Sequence, residues 1–430
     1  MKTNLLRLMM FCAACLAANS LYAYAFSEEN ADGKTIYYNI LSEADMTCEV
    51  TSVYPRYGWS SNDDFTDYVG DLVIPSTANG YTVVSIGKYA LSCNKSLTSV
   101  TLPNTVTSIE MYAFMGCSAL TSVSLPNSLT SIGLWAFETC TSLTQVTIPK
   151  SVTSITQNPF GGSTNLTSIV VEKGNPKYNS DNNCNAIIET DTKTLITACK
   201  TTVVPNDIKI LGDYCFSCCR EWTSFVIPSS VTTIKTWAFS FCTGLTSITI
   251  PSSVKSIEMY AFYGCSALTS ITSYITNVFV TGVNAFGDCK DATLYVPEGT
   301  KSAYQMRSDW ASITKIEEFS VIPLAISCND KGTVLINDTF KFTADLGEVD
   351  VLKGGSNTFV FTPNKNCQLE QVLLDGLDVT LSVKENILTT RIREDSKMIV
   401  TFKRAGSDVN GDGRLDISDV VAIVNEILGQ

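Results

Sequence analysis

The sequence predicts a mostly β protein, with a solenoid of about ten turns followed by a small β-domain and a short C-terminal loop and helix. Apolar residues recur every 23 residues through the middle of the chain, and apolar and polar residues alternate after it. A loop rich in carboxylates comes near the end. The predicted bounds are 1–25 for a signal peptide, 26–69 for an N-terminal cap, 70–318 for the solenoid, 319–405 for the β-domain and 406–430 for the loop and helix.

The first 25 residues have the features of a secretory signal peptide. Two basic residues frame the start, the apolar run 8–18 is too short to span a bilayer, and Ala23-Tyr24-Ala25 is a small-x-small cleavage pattern. We expect a mature chain that starts near Phe26 and is secreted or held at the cell surface. A lipoprotein acylated at Cys15 is the alternative. No later apolar stretch predicts a transmembrane span.

The composition argues against several classes of function. The net charge is −12, from 30 basic and 42 acidic residues, so the chain lacks the basic surface that nucleic acid requires. Histidine is absent, which removes Ser-His and Cys-His nucleophile pairs and imidazole ligands for zinc. Catalysis by carboxylates alone would need two converging acids. The pairs Asp63-Asp64 and Glu317-Glu318 lie in polar segments at the edges of the solenoid, so we predict a protein that is not an enzyme.

The repeat unit reads L-T-S-[VI]-x-[LI]-P-x-[ST]-[VL]-x-[ST]-I-x-x-x-A-F-x-x-C-x-x. Val100 and Leu102 have the period of a short strand, which Pro103 ends because proline cannot donate to a ladder. The Ala-Phe pair marks a further inward segment. One unit cannot bury its apolar face alone, so stacked copies share a continuous core. The period is interrupted over 172–202, where two apolar runs predict a hairpin standing out from the stack.

The repeat resembles the BspA-type leucine-rich repeat of bacterial surface and secreted proteins. The likeness rests on the near-perfect 23-residue copies, the insertion Gly174-Asn175-Pro176-Lys177-Tyr178 and the closing segment 294–304, and it covers about 70–318. The resemblance implies a non-enzymatic protein with a role in adhesion. Its partner would be a protein or glycan on a host or bacterial surface.

Residues 408–419 have the spacing of a twelve-residue calcium loop. The predicted ligands are Asp408, Asn410, Asp412, the main-chain carbonyl of Arg414, Asp416 and Asp419. Gly413 permits the sharp turn, and an apolar helix face follows over 420–428. The loop resembles one dockerin repeat, although a dockerin carries two. The resemblance implies cohesin as a partner and, as an alternative function, a non-catalytic or scaffold-docked component of a polysaccharide-degrading system.

Cysteines recur in one column of the repeat. The members assigned to it are Cys93, Cys117, Cys140, Cys219, Cys242, Cys265 and Cys289. Their side chains would point in parallel, whereas a disulfide needs Cβ atoms about 3.8 Å apart, so we expect a ladder of buried thiols. Disulfides and a cysteine metal cluster at 215–219 are the alternatives.

A second column is aromatic and directly precedes the Ala-Phe pair or its equivalent. Its members are Tyr89, Tyr112, Trp135, Tyr214, Trp237 and Tyr260. Because Tyr and Trp are enriched at binding hot spots, we predict a ligand-binding stripe that includes Tyr112, Trp135, Trp237 and Tyr260. The alternative is that the rings only cover the edge of the core. A hydroxyl column on the strands prompts a third hypothesis, a structural or ice-surface protein, but hydroxyls are equally expected on an exposed strand face.

Overall fold

The computed structural model describes residues 24–53, 68–310, 313–329, 331–336, 340–342, 345–353, 356–364, 367–383, 386–391 and 396–404. The predicted signal peptide up to residue 23 lies outside the described residues. So do the predicted calcium ligands and the whole segment 406–430.

Three strands form a cap at the N-terminal end of the solenoid: β1 (Phe26–Glu29), β2 (Thr35–Ser42) and β3 (Thr47–Thr51). They pair antiparallel, and β3 pairs in parallel with a strand of the first turn. On the neighbouring edge, Lys34 Nζ donates to the carbonyls of Val69, at 2.8 Å, and Asp71, and Asn30 Nδ2 donates to the carbonyl of Val73 at 2.9 Å. These side chains occupy groups that an open sheet edge would offer to another chain.

Each solenoid turn has a longer strand, a two-residue strand and a third side without regular structure. The longer strands before the insertion are β4 (Gly70–Val73), β7 (Leu97–Thr101), β9 (Ser122–Ser124), β11 (Gln145–Ile148) and β13 (Ser168–Val171). The second side holds β5 (Thr77–Ala78), β6 (Tyr81–Ile86), β8 (Ser108–Ile109), β10 (Ser131–Ile132) and β12 (Ser154–Ile155). Paired residues of neighbouring turns are 23 positions apart, as in Ile109 and Ile132.

A stack of phenylalanine rings runs through the core. Its members are Phe114, Phe137, Phe160, Phe216, Phe239, Phe262 and Phe286, and the stack ends on Trp310. Neighbouring centroids within each run lie 4.8–5.4 Å apart. Because each turn repeats the same inward residues, the turns bury one apolar column against the next. The prediction of a mostly β solenoid is confirmed, with about 11 turns and almost no helix.

The insertion lies inside the stack, so the prediction of a hairpin standing out from it is wrong. Its strands are β14 (Tyr178–Asn179), β15 (Ala186–Glu189) and β16 (Thr194–Ala198), with a 3₁₀ turn at Asp181–Asn183. Side chains of β15 alternate between two separate apolar cores. Ile187 packs into the core of the preceding turns, whereas Ala186 and Ile188 pack into the core of the following turns. The hairpin is therefore a partition between two blocks of the solenoid.

Two residues of the insertion bind the last turn of the first block. The Ile155 N–H donates to the Tyr178 hydroxyl at 2.9 Å, which stands where a further turn would supply a carbonyl. Asn175 Nδ2 donates to the carbonyls of Pro149 and Val152 at 3.1 and 2.9 Å. Its Oδ1 accepts from the N–H groups of Lys177 and Tyr178 at 2.9 and 2.8 Å. Asn175 thus fastens the insertion to the first block.

The second block begins where β16 pairs in parallel with the next turn. Its strands are β17 (Ile210–Leu211), β18 (Ser224–Val226), β19 (Thr233–Ile234), β20 (Ser247–Ile250), β21 (Ser256–Ile257), β22 (Ser270–Ser273), β23 (Thr293–Pro297) and β24 (Lys315–Phe319). The short helix α1 (Lys301–Gln305) lies between the last two strands and places Tyr304 in the core, fully buried. These elements end the solenoid at Phe319.

Two sheets that share one core follow the solenoid. One has the order β28-β25-β33-β30-β31 and the other β27-β26-β29-β32. Their strands are β25 (Val321–Cys328), β26 (Gly332–Ile336), β27 (Phe340–Phe342), β28 (Asp345–Leu352), β29 (Ser356–Pro363), β30 (Cys367–Leu374), β31 (Leu377–Asp378), β32 (Ile387–Arg391) and β33 (Lys397–Arg404). A 3₁₀ turn covers Thr380–Ser382.

Candidate functional site

The third side of the solenoid, which we call the turn face, holds the aromatic column in an unusual backbone conformation. All six rings belong to residues with left-handed φ angles: Tyr89 (56°), Tyr112 (60°), Trp135 (53°), Tyr214 (58°), Trp237 (59°) and Tyr260 (57°). Asn284, at the same place in a later turn, has φ of 52°. Left-handed backbone favours glycine and asparagine and strains bulky residues. The aromatic residues therefore occupy positions where asparagine would fit more easily.

Backbone hydrogen bonds fix these residues to the next turn. The N–H of Tyr112 donates to the Leu134 carbonyl at 3.1 Å, and the N–H of Trp237 donates to the Met259 carbonyl at 3.1 Å. Tyr260 makes the equivalent bond to Val283 at 3.0 Å. Because each turn is tied to its neighbour in this way, the rings are held in a rigid row.

The six rings form a continuous stack, which we call the aromatic stripe. Tyr89 and Tyr112 are parallel with centroids 4.8 Å apart, and Trp237 lies 4.2 Å from Tyr260 at 17°. Each side chain is partly exposed. Neighbouring rings cover one another's faces, so ring edges and hydroxyl groups point to solvent. Burial, followed by the charges of neighbouring groups, raises the pKa of Tyr112 to about 12, so its hydroxyl remains a hydrogen-bond donor at neutral pH.

The stripe crosses the insertion through a gap. Asn158 stands where the repeat would place an aromatic residue, but it is buried, and its Nδ2 donates to the Tyr214 carbonyl at 2.8 Å. Its Oδ1 accepts from the Phe160 N–H and the Thr197 hydroxyl. Trp135 therefore meets Tyr214 directly, edge to face at 5.0 Å, across a chain separation that spacing alone does not bridge.

The stripe broadens at its C-terminal end. Phe241 and Tyr263 pack beside Trp237, with centroids 6.3 and 5.6 Å away, and Phe241 is 42% exposed. Tyr263 also meets Tyr260 edge to face at 5.5 Å. Sequence reasoning missed both residues because they lie one turn position away from the aromatic column.

Glu138 lies on the turn face three residues after Trp135. Its Oε2 atom is buried and has no hydrogen-bond partner in the described part of the chain. Burial raises the pKa of this carboxyl from 4.5 to about 7, so the group is partly protonated at neutral pH. The sequence pattern gave no sign of this burial, because other turns carry residues of different size and polarity at the same place.

The cysteine column is a ladder of buried thiols. The Sγ atoms of Cys140, Cys242 and Cys265 donate to the carbonyl 26 residues earlier at 3.2, 3.1 and 3.1 Å. All 14 described cysteines are free thiols. The assignment of Cys93 to the column was wrong by one position. The Ala-Phe register places Asn94 there, and Cys93 has a left-handed φ of 59° like Gly116 in the next turn.

Within the described ranges, no group of three or more Cys, Asp or Glu side chains could hold a metal ion, and this includes the cysteines at 215–219. The predicted calcium ligands lie outside these ranges. No helix of the described residues has the length and apolar character needed to cross a membrane.

Comparisons with known proteins identify the repeat. Residues 84–197 and 195–306 match the family described as "BspA type Leucine rich repeat region", in six copies that span more than half of the 430 residues. No curated protein matches the chain.

Several solved structures are similar in fold. A leucine rich cell surface protein from Faecalibacterium prausnitzii A2-165 is 22% identical, with a TM-score of 0.38 over 68% of this chain and 95% of that chain. A leucine-rich repeat protein from Eubacterium ventriosum ATCC 27560 is 22% identical, with a TM-score of 0.47 over 68% and 86%. The pneumococcal vaccine antigen PcpA is 17% identical, with a TM-score of 0.40 over 68% and 98%. The six repeat copies decide the assignment: the chain belongs to the BspA-type leucine-rich repeat family.

Proposed function

We propose that this chain is an exported, non-catalytic protein that binds another protein through the turn face of its solenoid. The observation that carries the proposal is the aromatic stripe. Six large rings occupy left-handed positions that Asn284 shows a smaller residue can fill. Strain of this kind, of order 1–3 kcal/mol per residue, persists where the surrounding structure holds it and is concentrated at binding sites.

The way in which the rings stack favours a protein as the partner over a glycan. A sugar packs against the open face of an aromatic ring, but the faces of Tyr112 and Trp237 are covered by neighbouring rings. Ring edges and tyrosine hydroxyls remain available, and these suit the mixed apolar and polar surface of a protein. A rigid row also loses little side-chain entropy when it binds.

Export and a calcium-binding tail complete the proposal. The leader supports export, because it combines a basic start, a short apolar run and a small-x-small site. The ligand spacing over 408–419 supports one calcium ion, which would order the tail as a tether. The dockerin-like character of the tail supports the alternative role as a docked component of a polysaccharide-degrading system, with cohesin as its partner.

A double variant of the stripe tests the proposal. Tyr112→Asn with Trp237→Asn removes two rings while keeping residue types that suit left-handed backbone, and Thr147→Asn on the exposed strand face is the matched control. Immobilised wild-type and variant proteins are exposed to labelled host and bacterial surface proteins, with and without calcium. We expect the double variant to lose binding and Thr147→Asn to keep it. Equal binding by a folded double variant would refute the role of the turn face.

A further inference from the structure

The ladder of longer strands is interrupted beside the insertion. In four turns the threonine before or at the start of the longer strand donates its N–H to the carbonyl 23 residues earlier, at 2.7–3.0 Å: Thr121, Thr167, Thr246 and Thr269. Thr223 makes no such bond within the described part of the chain. The carbonyl of Lys200 accepts instead from the indole Nε1 of Trp222 at 3.2 Å. The ladder is also interrupted between β9 and β11, but those two strands stay in contact.

The segment 200–206 occupies the place of the missing strand. Val204-Pro205 precedes Ile227-Pro228 by one 23-residue period, so the sequence carries the end of a repeat strand here. The Val203 N–H donates instead to the Cys184 carbonyl of the insertion at 3.0 Å, and the Val203 side chain is 69% exposed. The insertion therefore holds this segment and leaves it unpaired with β18.

As a result, β18 has one free edge. It pairs only with β20, and the Ile227 N–H after it donates to the Thr249 carbonyl at 3.2 Å. Alternate residues of a parallel strand face opposite neighbours. The N–H and C=O groups of Ser224 and Val226 therefore face away from β20, and no backbone partner occurs for them among the described residues. Such an edge is a template for another strand.

The free edge opens into a groove of about 1010 Å³ between 200–206 and 221–229, with Thr333 and Thr362 completing its lining. Trp222 and Phe225 stack at 5.0 Å on the β18 side, and Val203 lies on the opposite side. The ion pair of Lys200 with Glu221 at 3.8 Å balances the charge at one end. The groove thus combines backbone donors and acceptors with apolar and hydroxyl side chains, and it has no excess charge.

We propose that an extended, uncharged segment of a partner protein adds to the free edge of β18 as a β-strand in this groove. The inference rests on the proposed protein-binding function and adds a second contact to the turn face. A polypeptide is the occupant because the edge presents alternating N–H and C=O groups at strand spacing, which only another backbone matches along its length. Its side chains would alternate as in the solenoid's own strand Ser247-Ile248-Thr249-Ile250, apolar inward and hydroxyl outward.

A synthetic peptide with that pattern is the probe. Fluorescein-labelled Gly-Leu-Thr-Ser-Ile-Thr-Ile-Pro, the sequence of 244–251, is titrated with the full mature protein and followed by anisotropy. We expect saturable binding, at least tenfold weaker binding of the scrambled peptide, and at least tenfold weaker binding of a peptide N-methylated at alternate residues. N-methylation removes donors from the probe and leaves the protein unchanged.

Val226→Pro tests the edge from the protein side. Proline removes an N–H that faces the groove and leaves the pairing with β20 intact, as edge strands allow. We expect at least a tenfold loss of peptide binding with the thermal transition preserved. Absence of peptide binding by wild-type protein at 1 mM, equal binding of the N-methylated peptide, or displacement of the peptide by neutral oligosaccharides would each overturn the inference. Partner binding that depends on Tyr112 and Trp237 but not on Val226 would leave the proposed function standing while this inference fails.

Discussion

Replacing Glu138 with glutamine should stabilise the protein more at pH 8 than at pH 5.5. The side chain keeps its shape but loses its charge. Burial raises the pKa of Glu138 from 4.5 to about 7, so the folded protein favours the protonated form. Its contribution to stability is complete below pH 4.5, falls as the pH rises from 4.5 to 7, and is lost above pH 7.

The size of the effect follows from the shift in pKa. Each unit corresponds to about 1.4 kcal/mol, so a fully enclosed group would cost about 3 kcal/mol at pH 8. Solvent reaches part of the Glu138 side chain and screens its charge, which reduces the expected gain to about 1–2 kcal/mol. At pH 5.5, where most of the folded-state carboxyl is protonated, the gain should be less than half as large.

Guanidinium unfolding at pH 5.5, 7 and 8.5 measures the gain. Glu29→Gln on the exposed strand β1 is the matched control and should change stability equally at all three values. A Glu138→Gln gain that does not depend on pH would refute the assignment of a protonated, unpartnered carboxyl to the turn face.

Four further outcomes are expected. Asn175→Ala removes four hydrogen bonds at the insertion and should cost about 2–4 kcal/mol in unfolding experiments, whereas the exposed Asn206→Ala should change little; equal effects would contradict the fastening role. Trp237→Ala should cost about 2 kcal/mol because the ring is half-buried, and a loss above about 3 kcal/mol would make the ring part of the core. Denatured, unreduced protein should expose all 14 described thiols to a labelling reagent, and mass increments for seven disulfides would overturn the thiol ladder. Calorimetric titration should find about one calcium site that Asp412→Ala removes, and a wild-type protein without heat change at millimolar calcium would exclude it.

The repeating part of the fold could be predicted from the sequence because each turn solves the same burial problem. Phe114 and Phe137 recur at 23 residues, and they stack with the spacing of neighbouring turns. The aromatic column was equally readable, since its position before the Ala-Phe pair is constant. Its left-handed backbone was not, because no glycine or asparagine marks those positions until Asn284.

The insertion escaped prediction for a physical reason. Ala186-Ile187-Ile188 forms a continuous apolar run, which is expected of a strand buried on both faces as well as of a strand in an ordinary core. Only the structure shows that the two faces belong to different cores. The error at Cys93 has a simpler origin, since a spacing of 24 was accepted where the register of the repeat requires 23.

The partition also affects how such a chain can change length. In an ordinary solenoid every turn must fit the turn on each side of it, so an added or lost copy has to match both neighbours. Here Ile187 meets one block and Ala186 with Ile188 the other, through a wall that repeats neither. A copy gained or lost near the far end of either block leaves that wall unchanged. Each block can therefore drift in copy number, and the distance between the cap and the C-terminal sheets can be adjusted by recombination between near-identical repeats without redesign of the junction.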